Sequence, residues 1–85
     1  MSDILKERQA THGDYKNTSV TAQHIKGLIR GGESYPELIL AQRESLDMIA
    51  TKIARIVSGD PNEIDHWEDI AGYANLIVRE LKEDE

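Results

Sequence analysis

Cysteine and phenylalanine are absent, and the aromatic content is one Trp and three Tyr in 85 residues. Without cysteine no disulfide staples the chain, which fits a reducing compartment. Without Phe, the core must be built mostly from Ile, Leu, Val and Ala. No apolar run approaches the roughly 18 residues of a membrane span. The opening Met-Ser-Asp-Ile-Leu-Lys-Glu-Arg also lacks the apolar stretch of a signal peptide. A soluble, cytoplasmic protein is expected.

Positive charge is scarce as well, with a formal net charge of −6. A protein that coats a nucleic-acid backbone needs net positive surface, so that class is excluded. A small anionic ligand is not, because a few local Arg and Lys and helix N-terminal N–H groups suffice to hold one. The length makes a single domain, 1–85. Chains of this size bury only roughly 60–65% of their unfolded surface. With so little aromatic volume, a homo-oligomer, a dimer first of all, is expected to complete the core.

What is present is helical periodicity. Trp67, Ile70, Ala74, Ile77 and Leu81 recur at spacings of three, four, three and four, one apolar stripe at helical pitch. Asp65, Asp69, Gly72 and Leu76 fall on another side of the same helix. Gly inside a helix costs about 1 kcal/mol against Ala, which suggests close approach by a second body there.

In chain order, Met1 to Ala10 is a short helix anchored by Ile4 and Leu5, and Gly13 supplies a turn. Asn17 or Thr18 caps a second helix running to about Arg30, with Thr18, Thr21, Ala22, Ile25, Leu28 and Ile29 as its stripe. Gly31-Gly32 ends it, and Pro36 suits the first turn of a third helix. That helix is predicted over about 37–58, with Ile39, Leu46, Ile49, Ala50, Ile53 and Val57 on one face and Gly59 as its stop. The fourth is predicted over about 63–82, opened by a cap at Asp60 with Pro61 or by Asp65. No strand alternation or repeat occurs. The fold class is all-α, a small antiparallel bundle of two long helices with shorter N-terminal ones.

Two polar groupings stand out. On helix three, Glu44, Asp47, Thr51 and Arg55 share a strip, with Lys52 further round. Such a strip is commonly a solvated face with weak i,i+3 and i,i+4 pairs. Alternatively, Glu44 or Asp47 faces Asp65 and Asp69 across the helix pair, an arrangement that holds Mg²⁺ in bundles, with Arg55 and Lys52 placed to receive phosphate oxygens. The second grouping is His12-Gly-Asp14-Tyr15, a ligand loop or a plain turn. No paired-His spacing suggests zinc, no phosphate loop follows Gly31-Gly32, and no nucleophile triad can be assembled.

His12-Gly-Asp-Tyr15, Glu44 to Ile56 and Asp65-His-Trp-Glu-Asp-Ile-Ala-Gly-Tyr-Ala74 together resemble a family of small, functionally uncharacterised phage and prophage proteins. More distantly, the blocks are similar to MazG-type all-α nucleotide pyrophosphohydrolases. That resemblance implies acidic residues on two antiparallel helices gripping Mg²⁺ and a nucleoside triphosphate. By position it makes Asp65, Asp69, Glu44 and Asp47 metal ligands and Lys52 and Arg55 phosphate contacts. His12, Asp14 and Tyr15 of the loop are read as further ligand-binding candidates. The enzymes' full Glu-Glu-x-x-Glu motif is missing; helix three offers Glu44-x-x-Asp47 only. The leading expectation is a phage-encoded nucleotide-binding protein in a bacterial host cytoplasm, with residual Mg²⁺-dependent pyrophosphohydrolase activity as its catalytic form. The rivals are a non-catalytic sponge or inhibitor that sequesters a host nucleotide signal or blocks a host protein, and a structural helical interaction module.

Overall fold

The computed structural model describes residues 3–83. The order is α1 (Asp3–His12), α2 (Tyr15–Arg30), a 3₁₀ turn (Tyr35–Glu37), α3 (Leu40–Ser58) and α4 (Ile64–Glu83). Among the described residues there is no strand, in keeping with the all-α pattern of the sequence. None of these helices is long and apolar enough to cross a membrane.

The centre is α3, with α2 packed on one side, α4 on the other and α1 across its C-terminal end. The antiparallel α3–α4 pairing is fixed by Ser45 Oγ donating to the Tyr73 carbonyl (3.3 Å) and by Lys52 Nζ on Asp69 Oδ2 (2.8 Å). The layer is elongated, 49 × 24 × 18 Å. Because α3 is gripped from two sides, its buried positions are Ser45, Ala50, Ala54 and Ile56 rather than one stripe. Ile39, Ile53 and Val57, expected in the core, are exposed. The same correction applies to Leu28 of α2, to Trp67 and Leu81, and to Ala74 of α4. The inward side of α4 is instead His66, Ile70, Tyr73 and Ile77.

Local chemistry moves two boundaries. The second helix begins at Tyr15, not at a cap on Asn17 or Thr18. Thr18 lies within its first turn, buried, and its hydroxyl donates to the carbonyls of His12 (3.0 Å) and Asp14 (2.9 Å). Pro36 belongs to the separate 3₁₀ turn rather than to α3, since Leu38 and Ile39 are extended between them. Gln42 Oε1 then accepts from the Ile39 N–H (3.0 Å) at the true start of α3. Asp60 caps an Asx turn, accepting from Asn62 N–H (2.9 Å), ahead of α4.

Two turns are locked together where α1 meets the α3–α4 connection. Gly13 has φ +86°, and a Cβ there would lie 2.5 Å from the Ser58 carbonyl carbon. A Cβ on Gly59 would lie 2.4 Å from the Thr11 carbonyl oxygen. That same oxygen accepts from the Asp60 N–H (3.1 Å). Only glycine allows both backbones to touch. Gly72 is the opposite case: a Cβ there meets nothing within 4 Å, so the close approach expected at this position is absent within one chain.

Candidate ligand-binding site

The locked turns carry His12 to the rim of a cleft formed by α1, α2 and α3. Its volume is about 490 Å³, within the span usual for small-molecule sites. Arg8 and His12 come from α1, Tyr15, Ser19, Gln23 and Lys26 from α2, Thr51 and Arg55 from α3. Leu5 and Ala22 supply apolar wall. No Asp or Glu among the described residues lines it. Among the described residues no carboxylate lies within ion-pair distance of Arg8, Lys26 or Arg55. A chain of net charge −6 thus gathers three cations in one cleft that no carboxylate of the described residues lines.

The first turn of α2 opens beside it. Asp14 precedes that helix, but its side chain does not cap it, and no acidic residue stands in its first turn.

His12 is held by His66. Its Nδ1 lies 3.2 Å from His66 Nε2, and the rings are tilted by 46° with centroids 4.9 Å apart. His66 is 1% exposed. Its Nε2 also lies 3.1 Å from the Thr11 carbonyl, which can only accept, so that nitrogen carries the proton. His12 Nδ1 must then present a lone pair. Burial, and after it the charges of Arg55, His66, Lys52 and Arg8, lower the His12 pKa from the ordinary 6.5. Geometry and electrostatics agree on a neutral His12 whose Nε2–H is not used by this contact.

Of the residues singled out from the sequence as ligand contacts, the fold brings His12, Tyr15 and Arg55 to the cleft. Asp14 is exposed at the head of α2. Lys52 is committed to Asp69, whose pKa is held below 3.8 chiefly by that hydrogen bond. Arg8, Gln23 and Lys26 were not singled out, because the short α1 and α2 show no motif that marks their polar sides.

The four carboxylates expected to hold a metal are dispersed within one chain. Asp47 faces α2, 3.7 Å from Arg30 Nη2, while Asp69 lies on the other side of α3 with Lys52. Glu44 and Asp65 are exposed. Among the described residues no three His, Asp or Glu side chains group as a metal site. Asp47 and Asp69 thus lie on opposite sides of α3 and do not converge on one ion within a single chain.

Residues 2–81 match a family described as a domain of unknown function, DUF6378. The chain belongs to that family. No curated protein and no solved structure matches it. In this DUF6378 chain the cleft, rather than the acidic face of α4, is where complementary chemistry converges.

Proposed function

We propose that this protein binds a phosphorylated small molecule of the nucleotide class in the α1–α2–α3 cleft. The observation that carries the reading is the set Arg8, Lys26 and Arg55 around a space of about 490 Å³ that no carboxylate of the described residues lines. Guanidinium and ammonium groups together receive phosphate oxygens as fork and point charge. Tyr15 offers a ring, and Leu5 and Ala22 offer apolar wall, for the flat portion of the ligand. The resemblance to nucleotide pyrophosphohydrolases points to the same ligand class.

Binding without turnover is the form proposed. Hydrolysis of the pyrophosphohydrolase kind requires Mg²⁺ between carboxylates that one chain keeps apart. A protein that holds a nucleotide without consuming it acts by sequestration or sensing, which suits the phage sponge expectation. Calorimetric titration with nucleoside mono-, di- and triphosphates in EDTA tests it. Saturable binding that strengthens with phosphate number is expected. Binding seen only with Mg²⁺ and lost in Asp69→Asn contradicts it.

A further inference from the structure

The chain is under-buried for a solitary protein. It exposes 6232 Å², whereas a folded monomer of 9.6 kDa should expose about 5,100 Å². Its radius of gyration is 14.6 Å, against about 12 Å for a compact chain of this length. Among the described residues the buried apolar side chains are Ala22, Ala50, Ala54 and Ile56, none larger than Ile. The surplus surface of about 1,100 Å² exceeds the roughly 800 Å² that each partner of a standard interface buries.

The surplus is organised. Ile64, Trp67, Ala71, Ala74, Val78 and Leu81 repeat at three, four, three, four and three along α4, all of them exposed. This is a heptad seam of the coiled-coil type. It is separate from the side that packs on α3, which is His66, Ile70, Tyr73 and Ile77. Asp69, reaching Lys52, marks one edge of that packed side. At helical pitch the seam lies past the other edge, away from Asp69. Trp67 is 55% exposed, Ile64 66%, Val78 46% and Leu81 48%. The antiparallel α3–α4 register places exposed Ile53 and Val57 beside its N-terminal end.

We propose that a second copy of this chain covers the seam, with the two α4 helices antiparallel about a two-fold axis between Ala71 and Ala74. The seam is complementary to itself in that register. Ala71 meets Ala74 of the second copy at the centre, Trp67 meets Val78, and Ile64 meets Leu81. Small residues at the middle let the helix axes approach, while the bulky residues fill the ends. The flanks agree. Antiparallel pairing sets Glu68 towards Arg79 and Lys82 of the other copy, whereas parallel pairing puts Glu68 and the other copy's Arg79 and Lys82 on opposite sides of the seam. The interface is isologous and closes as a dimer.

Sedimentation equilibrium and cross-linking of the full chain test this. The expected particle mass is twice 9.6 kDa at micromolar concentration. Ala74→Glu, at an exposed position of the single chain, should give a monomer with its helical circular dichroism retained. Leu76→Glu, on the far side of α4, should remain a dimer. Because the chain has no cysteine, single introduced thiols report the register. A mixture of Ile64→Cys and Leu81→Cys chains should oxidise to the mixed disulfide, and Ile64→Cys alone should not cross-link to itself. A monomeric wild-type protein, a dimer indifferent to Ala74→Glu, or self-linking of Ile64→Cys each overturns the proposal.

Discussion

His66 Nε2 stands 3.2 Å from His12 Nδ1 and 3.1 Å from the Thr11 carbonyl. One buried N–H thus faces two acceptors on the end of α1 and ties that end to α4. Replacing His66 by Ala leaves a cavity and an underused carbonyl. We expect a loss of about 2–4 kcal/mol in chemical denaturation.

The same contact predicts a pH dependence. Protonating His12 puts an N–H against the His66 N–H, and its folded pKa lies below the ordinary 6.5. Above 6.5 both folded and unfolded chains hold this group neutral. As pH falls below 6.5 the unfolded chain takes up the proton first, so stability declines down to the folded pKa. Melting midpoints measured between pH 8 and 5 should fall on the acid side. The decline should weaken in His12→Asn.

Glycine substitutions separate contact from freedom. Gly13→Ala places a methyl 2.5 Å from Ser58 backbone at φ +86°; a loss of about 2–3 kcal/mol is expected. Gly72→Ala enters open space within a helix. It should add about 0.5–1 kcal/mol. Urea titrations of the two variants should therefore move in opposite directions.

The Lys52–Asp69 pair should matter for the α3–α4 join and not for the ligand. Asp69→Asn is expected to lower stability slightly at neutral pH and to leave nucleotide affinity unchanged. Its carboxyl, held below 3.8 by Lys52, contributes above that value and ceases to as pH drops through the lowered pKa. A variant that melts like wild type at pH 7 but binds no nucleotide contradicts the assignment.

Arg55→Gln removes one of the three Arg and Lys side chains that line the cleft. Charge-assisted hydrogen bonds to an anion contribute about 1.5–3 kcal/mol, so Kd should rise about ten- to a hundredfold. Raising the salt concentration should weaken wild-type binding in the same direction.

The helices were legible where period and punctuation agree. Gly59 ends α3, and the 3.6-residue pattern locates α4 to within a residue of Ile64–Glu83. What each helix turns inward was less legible. A single apolar stripe of Trp67, Ile70, Ala74, Ile77 and Leu81 proved to be two interleaved rows, one packed on α3 and one exposed. Periodicity reveals that a helix is apolar on a side, not how many neighbours divide that side. The cleft was half legible. His12, Tyr15 and Arg55 sit in conspicuous blocks, whereas Arg8 and Lys26 join them only because the Gly13 turn folds α1 and α2 around the end of α3.

The most direct test of the binding assignment is an amide chemical-shift titration of the protein with a nucleoside triphosphate in EDTA. The account predicts saturable shifts concentrated at His12, Gly13, Tyr15, Gln23, Thr51 and Arg55. Shifts confined to Asp65, Asp69 and Arg79 on α4, or no shifts at millimolar nucleotide, contradict it.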